Sequence, residues 1–157
     1  EIGPERFPVQ IAFNRIPQLD GFQDDGFSKE EMKLFWETRK ILGDGSILVN
    51  PTAVRVPVFY GHSEAVAIET RDKVNVAEAR ALLEQSPGVE VVDRHEAGGY
   101  PTPVTHASGT DAVYVGRIRE DLSHPRGLNL WIVSDNVRKG AALNAVQLAE
   151  LVASEQR

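Results

Sequence analysis

Apolar and polar positions along this chain recur with two periods, and each period predicts a different element. Ser28-Lys29-Glu30-Glu31 has the spacing of a capping box, in which the Ser28 hydroxyl takes the Glu31 amide while the Glu31 carboxylate reaches back. Beyond it, Met32, Phe35 and Trp36 fall on one face of a helix running to about Leu42, and Glu30, Lys33, Glu37 and Lys40 line another. Gly43-Asp44-Gly45 stops that helix. A second helix is expected over 76–85, capped by Asn75 and closed by Pro87-Gly88. A third should run from a cap at Ser134 or Asp135 to about Ser154. Strands are expected at 54–60, 65–70, 89–92, 112–119 and 128–134, the last two paired across 121–127. One more short strand, at 9–13, is expected within an otherwise irregular lead over residues 1–27. Residues 95–111 carry two Pro and three Gly and form a loop of a length that usually has a function or is disordered. Helical connections together with a hairpin give an α+β domain, a mixed β-sheet with helices on one face. No internal repeat is visible.

Composition narrows the classes of function. A chain of 157 residues with 41% hydrophobic and 25% charged residues is an ordinary soluble globular protein, large enough to fold without a disulfide or metal staple. The net charge of −6 argues against a general nucleic-acid binder, whose phosphate contacts need clustered Lys and Arg. Apolar runs such as 56–60 are far too short to span a bilayer. The lack of cysteine excludes disulfides, Cys-based zinc sites, iron–sulfur ligation and a cysteine nucleophile within this chain. Glu1-Ile2-Gly3-Pro4 is neither an initiator Met nor a secretory signal, so the chain is expected to be a piece of something longer or a processed product.

The chemistry-bearing residues are few. Arg55 lies in an apolar run, where a guanidinium is expensive unless it meets an anion, and its planar fork suits a carboxylate bidentately. That anion is either a structural Asp or Glu or a ligand. His62 follows Gly61 at a strand end, and imidazole is the side chain best suited to proton transfer near neutral pH. On one straight strand, Arg55 and His62 would point to opposite faces, so Pro57 or Gly61 must break the period for them to converge. Glu30 and Lys33 are helix neighbours; spacing alone favours a weak surface ion pair over a ligand contact. Gly140, Ala141 and Ala142 inside the last helix permit close approach, either of another backbone or of a cofactor edge. A zinc-deaminase reading of His62-Ser63-Glu64 fails for want of Pro-Cys-x-x-Cys, and no Gly-x-Gly-x-x-Gly, P-loop or Gly-x-Ser-x-Gly occurs. His95, His106 and His124 lack ligand-like spacing, and no metal site is expected.

Several motifs in one order go further than any of them alone. Gln10-Ile11-Ala12-Phe13-Asn14-x-Ile16-Pro17-Gln18, Glu30-Glu31-Met32-Lys33, Arg55-Val56-Pro57-Val58 with Gly61-His62, Tyr100-Pro101-Thr102-Pro103, Val115-Gly116-Arg117-Ile118-Arg119 and Asp135-Asn136-x-x-Lys139-Gly140-Ala141-Ala142 together resemble the C-terminal part of aspartate-β-semialdehyde dehydrogenase. The resemblance covers nearly the whole chain. It implies a substrate-binding and dimerisation domain over 1–133, incomplete at its N-terminal side. It also implies a C-terminal helix, 134–157, that packs on an NADP-binding domain outside this chain. His62 matches the family's acid/base histidine and Arg55 its substrate-carboxylate arginine. Glu30 matches the carboxylate near the α-amino group, and Lys33 the lysine at the phosphate position. Asn136 matches the Asn or Gln near the nicotinamide.

The family's reaction is the reversible, NADP-dependent interconversion of aspartate semialdehyde plus phosphate with β-aspartyl phosphate, in lysine, threonine and methionine biosynthesis. Its cysteine nucleophile lies before the point where this chain begins, so the chain alone is expected to be inactive. The resemblance further implies a homodimer or tetramer in the cytoplasm, with no nucleic-acid or membrane partner. Two other readings stand beside it: a non-catalytic dimerising paralogue, and a related acyl-phosphate reductase acting on a different substrate.

Overall fold

A computed structural model describes residues 6–155, so the first five positions of the irregular lead and the last two of the C-terminal segment lie outside the described residues. Two compact units emerge, Glu1–Val58 and Phe59–Arg157.

In the first unit, Ser28 opens α1 (Lys29–Leu42) as its spacing predicts. The Glu31 amide donates to Ser28 Oγ at 3.4 Å, and the Ser28 amide donates to Glu31 Oε2 at 2.8 Å. Gly43 ends the helix in the left-handed region, φ +65°, where its amide reaches back to the Lys40 carbonyl. Residues 9–13 are a turn and not the expected strand: the Asn14 amide donates to Ile11 O at 2.9 Å and Phe13 takes φ +57°. Residues 54–60 also fail to form a strand. Arg55 alone pairs, in a two-bond bridge with Ile16 (3.0 and 2.8 Å), before the Val58 amide folds back to Val56 O at 2.9 Å. Pro57 has no N–H for a ladder and stands at the centre of that tight turn.

The second unit is built on a four-stranded mixed sheet in the order β1-β4-β3-β2, where β1 is His62–Glu69, β2 Val89–Val91, β3 Val113–Glu120 and β4 Gly127–Ser134. β4 runs antiparallel to both β1 and β3, while β2 lies parallel to β3. Helix α2 (Val76–Glu84) starts at a second capping box, Asn75 with Glu78, and connects the two edge strands. Its Ala79 joins Val115, Ile118 and Leu128 in the core on one face of the sheet. On the other face, Tyr114 and Val133 pack on Ala107. Ala107 ends a single wide turn, Pro103–Ala107, whose Thr102 side chain takes the Thr105 amide at 3.2 Å. The long loop is therefore ordered, and the Trp131 indole fastens it by donating to Pro101 O at 2.9 Å.

A bulge between Gly116 and Arg119 interrupts the β3–β4 ladder, with Arg117 at φ +56°. The buried Asp93 carboxylate receives the Arg117 amide at 2.7 Å and the Ile118 amide at 3.4 Å, and pairs with Arg80. Those amides have no strand partner, and a buried donor without an acceptor is costly. The chain closes with a wide turn, Arg138–Ala142, that runs into α3 (Leu143–Glu155). Among the described residues no helix is long and apolar enough to cross a membrane.

Candidate active site

Three of the five predicted site residues belong to the first unit. Arg55 is fixed at its backbone by the Ile16 bridge, and Ile16 is buried at 3% exposure. Its guanidinium lies 5.0 Å from the centre of the Phe7 ring. Among the described residues no carboxylate pairs with it, so of the two anions open to Arg55, no structural acid fills the role there. Glu30 and Lys33 do meet: Lys33 Nζ lies 3.2 Å from both Glu30 carboxylate oxygens. That hydrogen bond, followed by the Glu30 charge, pushes the Lys33 ammonium above its ordinary pKa. Both side chains remain about 40% exposed (43% and 38%), so the pair adds little to stability and is open to a ligand.

Glu31 joins these pieces. One of its oxygens completes the capping box while the other accepts the Ala53 amide at 2.9 Å, two residues before Arg55. The Ala53 amide first, then the Ser28 amide and hydroxyl, hold the Glu31 carboxyl below its ordinary pKa. The sequence signals the cap but not this second bond, which spans 22 residues.

The other two residues belong to the second unit. His62 is the first residue of β1, not a loop residue beyond a strand, and it stands opposite Ser134. The straight strand between Arg55 and His62 is already interrupted at Pro57, and Gly61, with φ +82°, turns the backbone again just before β1. A Cβ there would lie 2.8 Å from Pro103 Cβ and 3.1 Å from Ser134 O, so only glycine fits both the angle and the space. Asn136 Oδ1 accepts the Gly61 amide at 3.1 Å, a contact across 75 residues that no local pattern reveals. The regular helix does not start at Ser134 or Asp135 as expected: the wide turn begins after Val137 with no side-chain cap, and α3 only at Leu143. Asp135, between Ser134 and Asn136, instead ties down the loop. Its carboxylate takes the Gly109 amide at 2.8 Å and those of Val137 and Arg138 at 3.0 and 3.1 Å. The Gly109 and Arg138 amides hold its pKa low.

Gly140 meets no neighbouring backbone; the nearest atom to a Cβ there is Asn136 Cβ at 3.7 Å, so packing inside this unit does not call for a glycine. His106 packs edge-on to Tyr114, with ring centres 5.8 Å apart. His124 pairs with Glu69 at 3.3 Å. Among the described residues no group of three or more His, Asp or Glu is placed to hold a metal.

A family description, semialdehyde dehydrogenase, dimerisation domain, matches residues 1–139. An aspartate-semialdehyde dehydrogenase of Legionella pneumophila is 60% identical over 149 residues, which is 95% of this chain and 43% of that protein. One from Bacillus subtilis is 49% identical over 158 residues, 96% of this chain and 45% of that protein. Aspartate semialdehyde dehydrogenase II of Vibrio cholerae, solved complexed with ASA, superposes at a TM-score of 0.92 with 56% identity, over 96% of this chain and 44% of that one. The chain thus spans less than half the length of these relatives.

Proposed function

The chain belongs to the semialdehyde dehydrogenase dimerisation-domain family, and from that premise we propose that it is the C-terminal, substrate-binding part of an NADP-dependent aspartate-semialdehyde dehydrogenase that works as a homodimer. The observation that carries this reading is Arg55: a guanidinium stacked on Phe7, fixed through its backbone, with no carboxylate partner among the described residues. Such a group is prepared for a planar anion, and the α-carboxylate of an amino-acid aldehyde is one. Glu30 receives the α-ammonium, and Lys33 the phosphate, each replacing its present partner.

His62 handles the proton at the aldehyde oxygen. That oxygen gains negative charge when a thiolate supplied by the rest of the protein attacks the carbonyl carbon, and it needs a proton then. The same imidazole takes the proton back as hydride leaves the carbon and the carbonyl reforms; phosphate then displaces the thiolate. NADP, when bound, supplies the hydride acceptor. Asn136 is the residue of this chain that would meet it. The Asn136 amide suits a carboxamide group, because its oxygen is engaged by Gly61 and its NH2 makes no hydrogen bond among the described residues.

The test is phosphate-dependent reduction of NADP by the full-length protein with aspartate semialdehyde, compared with His62→Ala. The variant should lose about 10²–10⁴-fold in kcat with little change in KM. No turnover with any semialdehyde would favour the non-catalytic paralogue. Preference for a substrate lacking the free amino group would favour the related acyl-phosphate reductase.

A further inference from the structure

Ser134, Asp135 and Asn136, where β4 ends, each hold a different neighbour. The Ser134 carbonyl closes one side of the space at Gly61, the Asp135 carboxylate binds the Gly109 amide, and Asn136 Oδ1 accepts the Gly61 amide at 3.1 Å. An N–H can only donate, so the Asn136 atom facing Gly61 is the carbonyl oxygen. The orientation of the amide is thereby fixed. His62 follows Gly61 directly, and its own imidazole makes no hydrogen bond among the described residues. The point from which the imidazole extends is set by the backbone, and that backbone is held at Gly61 in a conformation of φ +82°.

We propose that Asn136 is a positioning residue for His62. Its carbonyl oxygen pins the Gly61 amide and so sets the position from which the imidazole works, while its NH2 remains for the nicotinamide. This rests on the reading of His62 as the acid/base group. It adds that one amide serves both sites, so disturbing Asn136 disturbs proton transfer as well as cofactor binding.

The experiment uses the full-length protein and its Asn136→Ala and Asn136→Asp variants. Three quantities are read: hydrogen exchange of the Gly61 amide, the pH titration of the His62 ring by NMR, and kcat separately from KM for NADP. Asn136→Ala should speed Gly61 exchange about two- to tenfold, as expected for one lost hydrogen bond, move the His62 titration and lower kcat. Asn136→Asp keeps an acceptor, so Gly61 should stay protected while KM for NADP rises. Asn136→Ala with unchanged Gly61 exchange and an unchanged His62 titration, and only a raised KM, would overturn the proposal and leave Asn136 a cofactor contact. If Asn136→Ala does not fold, free exchange at Gly61 in Asn136→Asp would overturn it equally. Normal kcat in His62→Ala would instead defeat the acid/base reading, and the exchange data would still report on the Asn136 bond.

Discussion

Arg55 shows what a single residue can announce in a sequence. A guanidinium in an apolar run demands an anion, and the structure leaves that demand unmet by any carboxylate among the described residues. What the sequence could not supply is how Arg55 is held, because the Ile16 bridge and the Phe7 ring come from an irregular lead with no periodicity to read. Glu30 and Lys33 illustrate the opposite case: their ion pair was legible from spacing, but only the family motif gives it a purpose. Replacing Arg55 with Lys keeps the charge and loses the two parallel N–H donors. We expect Arg55→Lys to lower kcat/KM of the full-length enzyme by roughly 10–150-fold, corresponding to about 1.5–3 kcal/mol for one charge-assisted bond, with its melting temperature nearly unchanged. Steady-state kinetics with a parallel melting curve checks this; normal kcat/KM with a lowered melting temperature would move Arg55 from substrate binding to structure.

Elements were legible where a local signal specified them. The Ser28 capping box, the cap at Asn75 and the β3–β4 hairpin follow directly from neighbouring residues. Residues 54–60 were not legible, since β-branched and aromatic content reads as strand while Pro57 and the lack of a neighbouring ladder prevent one. The cap at Ser28 has two separable effects. Ser28 is buried at 1% exposure, and Ser28→Ala should cost about 1 kcal/mol, the usual loss for an N-cap, read as a lower denaturant midpoint. Glu31 adds a pH dependence. Its folded pKa lies below the unfolded value, so its stabilising effect is complete above the unfolded pKa, about 4.3, and is lost as pH falls through the folded one. Glu31→Gln has no such ionisation. The stability gap between the native sequence and Glu31→Gln should therefore be constant above about pH 5 and shrink below about pH 4. A gap that stays constant down to pH 3 would deny Glu31 its bonds to Ala53 and Ser28.

For the molecule as a whole, the family was legible from the order of six short motifs, none of which is specific alone. The grouping into Glu1–Val58 and Phe59–Arg157 was not, because one expected strand ran across the boundary. Large apolar side chains stay exposed in the second unit: Val146, Leu148, Leu151 and Val152 on α3 are each more than half exposed, and β1 is exposed along most of its length. On the proposed reading, α3 rests on the nucleotide-binding domain and the dimerisation domain is completed by residues outside this chain. The chemistry is divided in the same way. On that reading these 157 residues supply the substrate's carboxylate, amino and phosphate contacts and the proton-transfer imidazole, while their sequence contains no cysteine. Without a thiolate there is no addition to the aldehyde carbon and no acyl group for phosphate to take. Lys33 does not replace it on that reading, since an ordinary lysine is protonated near neutral pH and its ammonium is taken up by phosphate. The purified chain, supplied with aspartate semialdehyde, phosphate and NADP, should form no reduced nicotinamide above background, while the full-length protein turns over under the same conditions. Phosphate-dependent turnover by the purified chain would mean that an acyl transfer route exists without a cysteine, and the assignment of His62 to proton transfer alone would fall with it.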